Sequence, residues 1–523
     1  MSEQPAERPA APPNYVDAAL AFFAEMGPTE ALVHGDRRYT YAEVRAAVLA
    51  MAAAVAAHGV RGGMTVVLVT RNHPESVILQ LALHRLGCRT GFVATYAPLR
   101  DQLDFIKHAD PDVLIHDSGL ADGLIGDALA QADRPVLSLG PEDGRPDLLA
   151  AMVVAAAEGE QAGYGGAATG AEPQSLFYTS GTTGQPKLVL HRQRFYQALF
   201  AGGQFYRASG EPPMRHLATQ EFSTTSGQMP GLLALFQGGA AVLATGLAMD
   251  EFLALIERER VTSTFVSPLR LRELLGSPAL ARTDLSRMRY LNCGGSAAPP
   301  AVLAQAIERL GPMVRIVYGL TELPLIADYP FLAFDPAHPE RLRSCGTPFA
   351  DARIEVRDEE GKVLPTGETG EVWATGTLLM DGYFRQPDLT GQTVVDGWLD
   401  TGDVGYTDGD GFLYLVDRSK DVVITGKRTL KVYSRVVEDV LASHPEVRMA
   451  AVIGVPDEDL GEAVHAFVVT TAGATVTAGD LRDLVTAELD DKDFAPREVE
   501  FVGDLPLTPM DKVDKKALRA ARK

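Results

Sequence analysis

The chain has 523 residues, 46% hydrophobic and 22% charged, with 50 glycines and 33 prolines, which excludes a disordered polymer and a small disulfide-stapled domain. It exceeds what one hydrophobic core serves, and at roughly 150 residues per domain it implies two to four structural units. Forty-eight Lys plus Arg against 69 Asp plus Glu leave a formal charge of −21; such a chain is repelled by phosphate polymers and anionic lipid, so neither nucleic acid nor a membrane is expected as partner.

The opening MSEQPAERPAAPPNY holds four prolines, two acids and no apolar core, so residues 1–13 are expected to be a disordered tail rather than a signal peptide. Thr40-Tyr41-Ala42-Glu43 is a capping box, with Val44, Val48, Met51 and Val55 on one helical face behind it and Gly59 closing the helix. Met64 to Val69 then forms a buried strand. The uncharged stretch Phe222 to Met249 contains five glycines and Pro230, which fits a buried helix, turn and strand better than a membrane span. From Met249 a helix leads to the β-rich Thr262–Val266. This alternation predicts layered α/β structure.

Near residue 340 the pattern changes. Ala352–Val356 and Glu371–Thr375 are short strands between Gly- and Asp-rich turns, which predicts an antiparallel β unit. Beyond Asp417 come a helix at Val436–Leu441, strands at Met449–Val455 and Ala463–Thr470, and a helix after Thr477 with Asp480 as cap partner. Cys88, Cys293 and Cys345 are far apart and in no CxxC pair, which fits a reducing cytosol and a cytoplasmic protein. An oligomer is compatible with this composition but has no signature in it.

Phe177-Tyr178-Thr179-Ser180-Gly181-Thr182-Thr183-Gly184-Gln185-Pro186-Lys187 has the parts of a polyphosphate cradle. Its glycines admit close backbone approach, its hydroxyls donate and its lysine carries charge. The GxxxxGK[ST] spacing of a Walker loop fails, because Lys187 follows Pro186 and precedes Leu188. By composition alone a Ser/Thr/Gly surface loop fits equally well.

The order of these residues resembles the phosphate loop of the adenylate-forming superfamily, which includes acyl-CoA synthetases, aryl-acid-activating enzymes, peptide-synthetase adenylation domains and luciferase. The resemblance continues along the chain. Tyr318-Gly319-Leu320-Thr321-Glu322, Gly367-Glu368-Thr369-Gly370-Glu371, Gly397-Trp398-Leu399-Asp400-Thr401-Gly402-Asp403, Arg418-Ser419-Lys420-Asp421 and Leu507-Thr508-Pro509-Met510-Asp511-Lys512 follow in the family's order.

What the resemblance implies is an ATP site made of Thr179, Ser180, Gly181, Thr182, Thr183, Gly184, Lys187, Gly294, Gly295, Tyr318, Gly319, Thr321, Asp403 and Arg418. Tyr318 would stack on adenine, and Asp403 would accept both ribose hydroxyls. Glu322 beside Thr321 offers hard oxygens suited to a Mg²⁺ on the ATP phosphates. Lys512 would counter the charge that builds as a carboxylate attacks the α-phosphate, with Thr179 and Glu322 as further catalytic groups. The fold implied is a large domain over residues 14–420, of layered α/β subdomains plus a β-barrel-like unit, followed by a small mobile α+β lid over 421–523 that turns about Lys420.

Four positions depart from the family's pattern. Leu188 follows the phosphate-loop lysine and crowds the loop's exit, and Asp511 replaces the glycine before Lys512. Thr224 stands where many CoA ligases carry a histidine beside the acyl pocket; with Thr225 and Ser296 it implies a compact, polar or aromatic acid rather than a long fatty acid. After the hinge the chain runs Gly426-Lys427-Arg428-Thr429-Leu430-Lys431. Lys427, Arg428 and Lys431 either grip the phosphates of CoA or line a tunnel remodelled for another acceptor; a basic surface loop accounts for them as well. The expected activity is ATP-dependent formation of an acyl adenylate from a small-molecule acid, with release of pyrophosphate, then transfer to CoA. The rival acceptors are an amine, a carrier protein, or an aryl amine attacking activated nitrite. A non-catalytic nucleotide-binding switch is disfavoured by the joint retention of Lys187, Glu322, Asp403 and Lys512.

Overall fold

Runs of Val, Ile and Leu flanked by glycine become strands, and the capping signatures become helix starts. The computed structural model describes residues 14–120, 125, 129, 133–158, 171–179, 187–330, 334–426, 430–457, 459–489, 492–508 and 512–522. It divides into two units. One takes the chain up to Phe265 with Thr283–Arg289 and Thr377–Thr390; the other takes Val266–Arg282, Tyr290–Gly376 and the chain from Gly391.

In the first unit, Thr65–Val69 and Val113–Asp117 are buried at every residue, as parallel strands covered on both faces must be. Their sheet runs in the order Gly382–Tyr383, Lys187–Arg192, Gln174–Thr179, Arg89–Phe92, Thr65–Val69, Val113–Asp117, Val136–Leu139. Only Lys187–Arg192 runs antiparallel to its two neighbours. A second set, Arg215–Ala218, Ala240–Leu243 and Glu30–His34, is parallel, with Arg37–Thr40 returning antiparallel at its edge. The helix Tyr41–Ala57 carries the complete Thr40/Glu43 capping box. The stretch from Phe222 folds as the helix Thr225–Gln237, a Gly238-Gly239 turn and the buried strand Ala240–Leu243. No described helix is long and apolar enough to cross a membrane. All three cysteines are buried and free.

Glu259 ties the second set of strands together. Its side chain is 2% exposed, accepts two bonds from Arg38 at 2.7 and 2.8 Å and a third from Arg215 at 2.8 Å. Burial opposes ionisation, but these guanidinium bonds prevail and hold the carboxyl down at about 2. Its contribution is therefore present above the ordinary glutamate range near 4.5 and is lost as pH falls through about 2. We expect Glu259→Gln to destabilise this unit by about 2 kcal/mol at pH 7. Urea unfolding should show the deficit shrinking towards pH 2; a deficit independent of pH would mean packing, not charge, is lost.

In the second unit, the helix Pro300–Leu310 crosses between the parallel strands Tyr290–Gly294 and Val314–Tyr318. Ala327–Pro330 then pairs antiparallel with Val314–Tyr318. An antiparallel group follows, as the turns predict: Arg353–Arg357 on Gly370–Thr375, and Gly370–Thr375 on Trp398–Thr407, which also pairs with Leu413–Arg418. Beyond residue 421 a separate sheet holds Leu430–Val432, Val423–Thr425, Gly461–Thr470 and Val447–Asp457, with Glu498–Phe501 parallel to Gly461–Thr470. The helices Ser434–Ser443 and Ala478–Leu489 bury Val437, Leu441, Leu481 and Val485 in one cluster with this sheet's Val423, Val452 and Val468.

Candidate functional site

The second unit brings together residues that lie far apart in the chain. Val314–Tyr318 ends in Tyr318, and Asp403 sits within Trp398–Thr407 directly across from Arg418 in the antiparallel register. Asp403 is 3% exposed. Its Oδ2 accepts the Tyr318 hydroxyl at 2.6 Å, and its Oδ1 pairs with Arg418 Nε at 2.7 Å. Burial keeps the Tyr318 phenol protonated, so it can only donate to the carboxylate. Burial also pushes the Asp403 carboxyl up, against the opposing pull of Arg418, Tyr318, Arg435 and Lys512. Each carboxylate oxygen keeps a second lone pair for a ligand hydroxyl.

Lys512 joins this group. Burial and the Arg418 guanidinium draw its ammonium down to about 8, while Asp403 and Glu322 pull the other way. Its backbone is held by Thr508: Thr508 N donates to Lys512 O at 2.7 Å, and Lys512 N donates to Thr508 Oγ1 at 3.3 Å. The Glu322 carboxylate acts on Arg418 and on Lys512, so it shares the same charge cluster. Among the described residues, no group of three or more His, Cys, Asp or Glu is arranged to hold a metal. A Mg²⁺ fits here only as an ion carried by Glu322, the Thr321 hydroxyl, phosphate oxygens and water.

Glycine is required at two of the predicted positions. A Cβ on Gly319 would lie 2.2 Å from the Pro324 carbonyl oxygen. Gly295 holds φ +85° just after the strand Tyr290–Gly294, with Ser296 exposed behind it. Lys420 is exposed in the short turn Ser419–Asp421. Gly426 bonds the Leu460 carbonyl at 2.9 Å, and Lys431 is engaged with Glu359 at 2.9 Å. Lys427, Arg428 and Asp511 lie outside the described residues.

The first unit carries the other predicted residues. Thr179 and Lys187 face each other as a pair at the end of an antiparallel ladder. They frame the loop of Ser180, Gly181, Thr182, Thr183 and Gly184, which lies outside the described residues. Lys187 Nζ stands 5.0 Å from the centre of the Tyr383 ring, a cation–π distance. Leu188 is 2% exposed and packs in the core with Phe105 and Leu176, anchoring the strand Lys187–Arg192. Thr224 is the N-cap of the helix Thr225–Gln237; its hydroxyl accepts Gly227 N at 3.0 Å and donates to the Glu221 carbonyl at 2.9 Å. Thr225 is buried.

Several polar contacts have no counterpart in the sequence reading. Glu221 accepts Thr95 N at 3.0 Å and Thr95 Oγ1 at 2.5 Å, which pins the segment before Thr224. The Tyr318–Asp403 bond was legible only from tertiary structure. The Asp403–Arg418 pair had only part of a signal: the Asp408-Gly409-Asp410-Gly411 turn makes the flanking strands hairpin partners, and the register shift between Val404 and Gly405 then sets Arg418 opposite Asp403.

Residues 22–384 match the AMP-binding enzyme family and residues 436–512 match the AMP-binding enzyme C-terminal domain. The chain belongs to the AMP-binding enzyme family, within the adenylate-forming superfamily. It is 34% identical to a medium/long-chain-fatty-acid–CoA ligase of Mycobacterium tuberculosis, over 93% of this chain and 86% of the ligase. It is 31% identical to a feruloyl-CoA synthase of an Amycolatopsis species, over 95% of this chain and 96% of the synthase. Among solved structures, the amide bond synthetase McbA from Marinactinospora thermotolerans superposes with a TM-score of 0.85 at 34% identity, covering 97% of this chain and all of that one.

Proposed function

We propose that the chain is an AMP-forming acid–thiol ligase that activates a small or aromatic carboxylic acid with ATP and Mg²⁺ and transfers the acyl group to CoA. The observation that carries this reading is that half-buried Lys512 shares one charge cluster with Glu322 and the bonded Asp403–Arg418 pair. A lone ammonium there meets the two demands of the first step: it offsets repulsion between carboxylate and phosphate, and it neutralises charge on the α-phosphoryl oxygens. Asp403 and Arg418 take the ribose, Tyr318 the adenine, and Gly294, Gly295 and Gly319 let the nucleotide approach the backbone. Thr179, Lys187 and the loop between them take the phosphates, Glu322 and Thr321 the magnesium, and Thr224, Thr225 and Ser296 border the acid.

Residues 421–523 would act as the lid, turning about Lys420 once the adenylate has formed. Their separate hydrophobic clusters, such as Ala451, Ile453, Phe467, Leu505 and Leu518, support this division. ATP–pyrophosphate exchange across a panel of acids that includes nitrite, with and without CoA and amines, tests the whole reading. Absence of exchange with every acid would overturn it.

A second acceptor has specific support in the likeness to an amide bond synthetase. The cations after the hinge separate the two readings. If Lys427, Arg428 and Lys431 grip CoA phosphates, their joint replacement by alanine should raise the KM for CoA about tenfold and flatten its salt dependence, since exposed charges are screened over about 8–10 Å. Pyrophosphate exchange should not change. Wild-type enzyme that forms adenylate but no thioester at any CoA concentration, yet acylates an amine, would establish the second reading instead.

A further inference from the structure

A buried polar chain runs from the segment that carries Lys512 to the strand that carries Arg418. The Lys515 ammonium donates to Ser434 Oγ at 2.6 Å and to Glu438 Oε1 at 2.7 Å. Ser434 in turn donates to Asp417 twice, through its backbone N–H and, at 3.1 Å, through its hydroxyl. Asp417 also accepts the backbone N–H of Arg418 at 2.8 Å, and Arg418 pairs with Asp403. Ser434 and Asp417 are 0% and 5% exposed, and the Lys515 side chain 15%. Lys515 lies among Lys516, Arg519 and Arg522, and a lysine held this deep in so basic a segment calls for a role.

The local geometry supplies one. Lys515 opens the helix Lys515–Ala520, which Asp514 caps by accepting Ala517 N at 3.0 Å. Asp514 N donates to the Pro506 carbonyl at 2.8 Å and Leu507 bridges Val513, so residues 512–514, which include Lys512, run alongside residues 506–508. Arg519, on the same short helix, pairs with Asp421 at 2.8 Å. Arg519 thus reaches the residue after Lys420, and Lys515 reaches Asp417 before it only through Ser434. Along the chain Asp417 precedes Lys420, while Ser434 and Lys515 follow it. The bond from Ser434 to Asp417 therefore ties the chain after Lys420 to the strand before it.

We infer that Lys515 is a positioning residue for Lys512, acting through Ser434 and Asp417 to fix the catalytic lysine in register with the Arg418–Asp403 pair. This rests on the assignment of Lys512 to adenylate formation. A purely structural role in the lid predicts something different, because a loosened lid harms both half-reactions alike.

The test compares Lys515→Met, Lys515→Arg, Ser434→Ala and, as a control, Lys516→Met at an exposed neighbour. Three readouts are taken: pyrophosphate exchange, conversion of a supplied adenylate, and the rate at which Lys512 is acetylated, read by mass spectrometry. Lys515→Met is expected to slow exchange about 10- to 100-fold, as loss of register does, to leave adenylate conversion within about twofold, and to speed Lys512 labelling. Lys515→Arg should restore exchange, and Ser434→Ala should fall between. Unchanged labelling of Lys512 in Lys515→Met overturns the inference, as does an equal loss in both half-reactions that arginine fails to restore. If Lys515→Met does not fold, Ser434→Ala decides by the same readouts. Failure of the functional reading would appear separately, as wild-type enzyme that exchanges with no acid while Lys512 labelling still responds to Lys515→Met.

Discussion

Lys512→Ala is expected to slow adenylate formation by about 10²–10³ while leaving conversion of a supplied adenylate near the wild-type rate. The ammonium matters only while carboxylate, α-phosphate and departing pyrophosphate crowd one another; once the adenylate exists, that charge has gone. The same residue sets a pH limit. Its ammonium is drawn down to about 8, by burial first and then by Arg418, with Lys420 adding to the effect and Asp403 and Glu322 resisting it. A lysine with a lowered value is charged below that pH and neutral above it. The kcat/KM for ATP in the first half-reaction, which reports the free enzyme, should therefore hold below about 8 and fall about tenfold per unit above it. Lys512→Arg keeps its charge throughout this range, so its residual activity should show no such limb. Pre-steady-state measurement of each half-reaction checks both claims. Equal loss in the two halves would show that Lys512 is not confined to the first step.

What was legible in the sequence depended on how local the cause is. The Thr40 capping box, the Gly238-Gly239 turn and the Thr477/Asp480 cap act within a few residues, and each element they define formed as expected. Leu188 shows the limit. As a residue type it announced bulk after a phosphate-binding lysine, but the side on which that bulk falls is set by ladder register against Tyr178, and it falls inward. Asp403 and Arg418 were named as site residues, yet their mutual bond follows from a hairpin register with a shift between Val404 and Gly405. Lys515 was hidden most completely. It stands among Lys516, Arg519 and Arg522, where composition implies solvent, and its partner Ser434 lies 81 positions away. A buried polar chain of that span has no periodicity to betray it.

Asp403→Ala is expected to weaken ATP binding by more than about tenfold in a chain that remains folded. Two hydrogen bonds to a charged acceptor are worth about 1.5–3 kcal/mol each, and a factor of ten needs only about 1.4 kcal/mol. The carboxylate has a second function that the geometry makes separable. In the free protein it already holds the Tyr318 hydroxyl at 2.6 Å and Arg418 at 2.7 Å, so removing it also frees the groups expected at adenine and ribose. Tyr318→Phe deletes only the hydroxyl bond, keeps the ring, and leaves both carboxylate oxygens for ribose; its affinity for ATP should fall about two- to fivefold, as loss of one positioning bond of roughly 0.5–1.5 kcal/mol would give. Arg418→Lys keeps charge but loses the Nε donor that meets Oδ1, and a lysine cannot reproduce that planar geometry, so it should lie between the two. Calorimetric titration with ATP gives the ranking Asp403→Ala, Arg418→Lys, Tyr318→Phe from largest loss to smallest. If Tyr318→Phe costs as much as Asp403→Ala, the carboxylate serves only to hold the tyrosine, and the ribose has another partner.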